Sequence, residues 1–120
     1  MGRARIDEGQ GLAALRQWQA DAASASRDTT ATAVRFTLQA LADRAPGNTV
    51  EVRVPPFGAT QCIEGPRHTR GTPPNVIETD AATWLALATG AEAWDDALAS
   101  GRVHASGQRA QLDGLLPVVR

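Results

Sequence analysis

The sequence predicts an α+β fold, a mostly antiparallel sheet covered on one face by helices, with an extra helix at the N-terminus. Three observations carry this prediction. Up to Gly47 the chain is Ala-rich with apolar residues at helical spacing. Beyond Gly47 it breaks into short alternating apolar segments punctuated by Gly and Pro. The order of the segments, helices, strands, helices, strand and helix, is not the regular strand–helix alternation of a parallel α/β sheet.

Leu12, Leu15, Trp18 and Ala22 recur at helical intervals and define a first helix, which fades into the polar run Ser24, Ser26, Arg27 and Asp28. Asp28, Thr29 or Thr30 is placed to cap a second helix. Its stripe is Val34, Leu38, Leu41 and Ala45, and Pro46 with Gly47 ends it. Phe36 projects about 160 to 200 degrees away from Val34 and Leu38, so something apolar must cover it. Either the first helix does so through Leu15 or Trp18, or Phe36 is a wall of a ligand cavity.

Val50, Val52 and Val54 alternate with Glu51 and Arg53 as a half-buried strand, which Pro55-Pro56-Phe57-Gly58 turns back. Ala59 to Glu64 follows as its antiparallel partner. No regular element fits Gly65 to Pro74, and such a loop is a natural place for function. Asn75 to Thr79 is a short strand, and Asp80 caps a helix from Ala81 to Thr89 that Gly90 terminates. Trp84, Leu87 and Ala88 form its buried stripe. Ala93 to Ser100 repeats the design with Trp94, Ala97 and Leu98 on one face. Val103 and Ala105 mark the last strand, and Leu112, Leu115 and Leu116 mark a closing helix stopped by Pro117.

The 120 residues suit one compact unit, read as an N-terminal helical extension over 1–29 and a domain over 30–120. A net charge of -1 lacks the positive excess expected of a nucleic-acid or anionic-membrane binder. Alanine supplies almost half of the apolar residues, so the set of larger side chains available for a core is modest. A single cysteine, Cys62, rules out an intramolecular disulfide and a Cys-x-x-Cys metal site. Neither a signal peptide nor a membrane span is legible, which places the expectation in the cytoplasm.

From Val50 onward the chain resembles the sterol carrier protein 2 domain, in particular the small bacterial, actinobacterial-type members. The likeness is carried by Val50-Glu51-Val52-Arg53-Val54, Gln61-Cys62-Ile63-Glu64, Val76-Ile77-Glu78-Thr79-Asp80, Trp84-Leu85-Ala86-Leu87-Ala88-Thr89-Gly90 and Ser100-Gly101-Arg102-Val103-His104-Ala105-Ser106-Gly107. Pro55-Pro56-Phe57-Gly58 and the run from Gly65 through Arg67-His68-Thr69-Arg70 to Val76 mark the bacterial subgroup more specifically. The resemblance implies a lipid-binding domain whose sheet and helices enclose an apolar tunnel for a sterol, fatty acid or acyl ester, with no covalent chemistry. Between Glu64 and Asn75 the Pro/Gly-rich loop replaces a strand usual in the family.

Such a pocket needs large apolar walls and one or two polar groups at its entrance. The candidate walls are Phe36, Leu38, Leu41, Val52, Trp84, Leu87, Trp94, Leu98, Leu112 and Leu116, each of which is equally a candidate for ordinary core packing. Arg67, His68 and Arg70 are the candidate polar mouth, where two guanidinium groups flanking an imidazole suit a carboxylate or phosphate. The competing role for Arg67 and Arg70 is pairing with Glu64 and Glu78 to pin the loop. Cys62 reads as a buried inert thiol, although a Cys62/His68 dyad can be drawn, and His104 as a solvent-facing strand residue.

The expected function is a non-catalytic lipid carrier binding a small hydrophobic ligand, with no cofactor, metal or nucleic acid, and with a homodimer or protein partner left open. Two alternatives stand beside it: an interaction module of the same fold lacking a tunnel, and a small enzyme using His68.

Overall fold

The computed structural model of the chain describes residues 4–65 and 75–120. Two helices lead, α1 (Glu8–Ala20) and α2 (Arg27–Arg44), followed by β1 (Val50–Val54), β2 (Gly58–Cys62) and β3 (Asn75–Thr79). Helices α3 (Ala81–Thr89) and α4 (Trp94–Ala99) and strand β4 (Val103–Ser106) complete the elements. The fold is α+β, as the sequence predicts.

Each helix starts at a side chain able to accept a free N–H, α4 excepted. Asp7 accepts from the Gln10 N–H at 3.1 Å and Asp80 from the Thr83 N–H at 2.8 Å. For α2 the cap is Ser26, whose Oγ accepts from the Thr29 N–H at 3.1 Å, two residues before the earliest predicted candidate. Asp28 then sits in the first turn, where its charge favours the positive helix end. Gly90 closes α3 at φ 84°, a left-handed conformation that glycine adopts without Cβ strain.

The strands form one mixed sheet in the order β2-β1-β3-β4. The β1–β2 and β3–β4 pairings are antiparallel and the central β1–β3 pairing is parallel. Alternation sorts the two faces. Val50, Val52, Val54, Cys62 and Ile77 point into a single core with Leu15, Val34, Leu38 and Leu41 of the leading helices and with Trp84, Leu85 and Leu87 of α3. The opposite face carries the rows Gln61, Glu51, Val76 and Ser106, and Ala59, Arg53, Glu78 and His104. Glu51 and Arg53 pair across that face at 2.5 Å.

Beyond the α2 cap, the structure departs from expectation in two places. The closing helix is absent: residues 107–120 run through turns, because Gly114 at φ 79° and Pro117 leave too little chain between breakers to nucleate one. The tail is instead pinned to α3, with the Val118 and Val119 N–H groups both donating to the Ala88 carbonyl at 2.9 and 3.1 Å. Leu98 is 41% exposed where burial beside Trp94 and Ala97 is predicted. The six-residue α4 packs at β4, the sheet's edge, so the part overhanging that edge has no neighbour to bury it. Phe36 is covered by α1, as one of the two readings has it, with its ring against Gly11.

Candidate functional site

The ten apolar candidates do not share one chamber among the described residues. Leu38, Leu41, Val52 and Trp84 are at most 3% exposed and fill the space between α2, α3 and the sheet. The Trp84 indole Nε1–H donates to Thr37 Oγ1 at 2.8 Å, so even the polar atom of this ring is satisfied internally. Phe36 borders a cleft beneath the N-terminal segment with Ile6 and Asp43, and Leu98 borders another at the edge of β4 with Val103 and His104.

The structure does bring Leu87, Trp94, Leu112 and Leu116 together, in a groove of about 290 Å³. Three chain features build it. The Leu-x-x-Gly ending of α3 turns the chain away just after Leu87, through the Gly90 N–H donating to the Leu87 carbonyl at 3.2 Å. The loop at 91–93 then delivers Trp94 at the first position of α4. The helix-free C-terminal segment supplies the outer wall, with Leu112 only 1% exposed and Leu116 and Pro117 half-buried. Glu92 and Asp113 complete the lining. Arg102 Nη1–H donates to Glu92 Oε1 at 2.7 Å and its Nη2 also contacts the second carboxylate oxygen. That hydrogen bonding, with the guanidinium charge, holds the Glu92 carboxyl below the usual glutamate range, so at neutral pH it stands as a carboxylate paired with Arg102. The groove offers apolar contact with acidic groups beside it and no nucleophile.

A larger cleft of about 460 Å³ lies between the N-terminal segment, α2 and β2, and sequence reasoning missed it. Its walls are Ile6, Leu38, Phe57 and Gly58, with Arg5 and Arg35 as its charges. The Pro55-Pro56-Phe57-Gly58 turn places Phe57, whose N–H donates to the Val54 carbonyl at 2.9 Å. Arg35 Nε–H donates to the Phe57 carbonyl at 2.8 Å, and the Arg27 guanidinium stands 5.4 Å from the Phe57 ring centre. Gln39 brackets the backbone of Ile6, accepting from its N–H at 2.9 Å and donating to its carbonyl at 3.0 Å. Arg5 is spent on Asp43, donating from both Nη atoms at 3.1 and 2.6 Å. The sequence signal for this site was the marker turn itself, read with the helix-spaced arginines 27 and 35.

The proposed polar mouth, Arg67, His68 and Arg70, lies outside the described residues. At the roots of that loop Asn75 is buried, donating to the Thr49 carbonyl at 3.0 Å and accepting from the Arg109 N–H at 2.9 Å. Burial pushes the Cys62 thiol up to about 11, which suits an inert side chain. Among the described residues no group of three His, Cys, Asp or Glu side chains converges to hold a metal, and no helix is long and apolar enough to cross a membrane. A comparison with curated proteins gives no match. A family model described as a bacterial SCP ortholog, one of the sterol carrier protein-like families, matches residues 26–118, from the cap of α2 to the tail resting on α3, and the chain therefore belongs to that family.

Proposed function

We propose that the protein is a non-catalytic carrier of a small hydrophobic ligand, a sterol, fatty acid or acyl ester, acting in the cytoplasm. Membership of the sterol carrier-like family supports the class of ligand. The observation that carries the reading to a place is the convergence of Leu87, Trp94, Leu112 and Leu116 on one groove. In this reading residues 1–29 are an extension of a carrier domain over 30–120. Arg67, His68 and Arg70 serve as the polar mouth for the ligand's head group.

Apolar area removed from water contributes roughly 25 cal/mol per Å², so a tail covering these four side chains gains affinity without any directional bond. At about 290 Å³ the groove lies near the lower end of the roughly 300–1,000 Å³ typical of small-molecule sites. It therefore holds part of a long chain or the edge of a ring system, with the remainder projecting toward solvent.

The test is organic extraction of the purified protein followed by mass spectrometry, together with displacement of a fluorescent fatty acid. A bound lipid, and weakened displacement on Trp94→Ala, are the expected results. Neither lipid nor displacement removes the carrier reading. The exposed Leu98 beside the edge strand β4 favours the second reading in that event, an interaction module of the same fold.

A further inference from the structure

We infer that the cleft between α2 and β2 is a second, separate binding site, selective for a small monocarboxylate with an apolar body. The cleft has two guanidinium groups in its lining and no carboxylate. Of the two, Arg5 has both Nη atoms on Asp43, which leaves Arg35 to meet a ligand. Arg35 is half-buried and oriented by its Nε–H on the Phe57 carbonyl, and in the hydrogen bonding among the described residues its two Nη groups are not used. A guanidinium fixed through Nε presents the paired Nη donors end-on, a geometry that matches the two oxygens of a carboxylate. Leu38, Ile6 and Phe57 line the same cleft and suit the apolar body.

The site is not a piece of the carrier groove. The groove has no guanidinium group in its lining, and it shares no lining residue with this cleft. One wall of the cleft, Ala4 to Ile6, lies outside the family match at 26–118, so the site depends on this chain's N-terminal segment. Gln39 fastens that segment in place through the Ile6 backbone.

The experiment titrates the full chain with 3-phenylpropanoate and, separately, with the isosteric neutral 3-phenylpropan-1-ol, following amide shifts by NMR and heats by calorimetry. The acid is expected to bind at least tenfold more tightly than the alcohol, with shifts centred on α2 and β2. Arg35→Gln should abolish that preference while leaving alcohol binding within twofold. Gly58→Val should weaken both ligands: a Cβ there meets Arg35 Cγ and Leu38 Cδ1 at 3.5 and 3.6 Å, ordinary contact, so the fold tolerates the first atom and the rest occupies the cleft. Trp94→Ala, in the carrier groove, should change neither affinity, which separates this site's outcome from that of the carrier reading. Equal affinity for acid and alcohol, shifts centred elsewhere, or an Arg35→Gln protein that keeps the preference would overturn the inference.

Discussion

Replacing Gly11 by alanine sets two physical effects against each other, and the structure decides which wins. Within a helix, Gly→Ala ordinarily stabilises by about 1 kcal/mol, because the unfolded chain loses conformational freedom. In α1 the new Cβ would overlap the Phe36 ring: of the three nearest ring atoms the most distant lies only 2.7 Å away, where ordinary contact begins near 3.4 Å. Phe36 is 7% exposed, so its ring has little room to retreat, and relief requires α1 to lift off α2. Overpacking of this kind costs about 1–3 kcal/mol or more, and an overlap with a rigid ring belongs at the upper end. The net expectation is a destabilisation of about 1–2 kcal/mol, or a fall in Tm of about 4–8 °C for a chain of this size. Gly9→Ala is the control in the same helix: Gly9 is exposed, its Cβ meets only Asp7 Oδ2 at 3.2 Å, and it should be neutral or slightly stabilising. Phe36→Leu should be less harmful combined with Gly11→Ala than the two separate losses predict. The assay is thermal unfolding by circular dichroism. A Gly11→Ala protein that melts at or above the wild-type temperature would refute the reasoning and detach α1 from the fold's stability.

Thr37→Val keeps the side-chain shape but strands the buried Trp84 N–H, so urea unfolding should show a loss of about 1–3 kcal/mol. Thr37→Ser keeps the hydroxyl and should lose less; equal losses would show that the hydrogen bond contributes nothing. Cys62, with its thiol pushed up to about 11, should resist a disulfide reagent at pH 8 in the native protein and react once the chain is unfolded, and stoichiometric native labelling within minutes contradicts its burial. The Glu92 carboxyl is held low by hydrogen bonding and charge from Arg102, so its folded pKa lies below its unfolded one. Its contribution is therefore present at neutral pH and fades as pH falls through the folded value; Glu92→Gln should lower Tm slightly at pH 7, with the difference from wild type shrinking below about pH 4.5. A gap that widens on acidification would reverse that sign.

The elements that were legible in the sequence are those specified by neighbours in the chain. The Val50, Val52 and Val54 alternation is sufficient to define β1, since each residue lands on the core face whatever else the fold does. Asp80 and Gly90 bracket α3 through local hydrogen bonding and a local backbone conformation, and both boundaries are where the sequence puts them. Leu112, Leu115 and Leu116 mislead because their spacing suits a helix, whereas their positions are set by what they touch: the tail lies along α3 by donating to Ala88. Leu98 misleads for the complementary reason. Periodicity says which residues share a helix face, but only the placement of α4 at the sheet's edge says how much of that face is covered. The α2–β2 cleft depends on Gln39 gripping Ile6, 33 residues away, a contact that no local pattern announces.

The packing of the described core constrains how the proposed carrier role can work. Seven side chains of the core, Val34, Leu38, Leu41, Val50, Val52, Val54 and Trp84, are at most 3% exposed and occupy the volume a tunnel beneath Trp84 would need. Admitting a ligand there means displacing large apolar groups whose packing contributes about 2–5 kcal/mol each, an expense comparable with the whole stability of a small domain. A surface groove avoids that cost. The outer wall of the Leu87–Trp94 groove is the C-terminal segment, fastened by two N–H donors on the Ala88 carbonyl and by Arg44 donating to the Pro117 carbonyl at 2.9 Å. Releasing these bonds, with those of Arg44 to the Gly114 carbonyl and Arg16 to the Arg120 carbonyl, at about 1 kcal/mol each, uncovers the partly buried Leu116, Val118 and Val119, whereas opening the core displaces fully buried side chains. A ligand too large for the groove is therefore expected to enlarge it by displacing the tail. Arg44→Ala, which removes the Arg44 bonds to the Pro117 and Gly114 carbonyls while leaving every groove-lining side chain in place, should raise affinity for a long-chain ligand while leaving that for a short one unchanged. Titration with fatty acids of increasing length would expose the opposite result, a length-independent change, and return the question to the core.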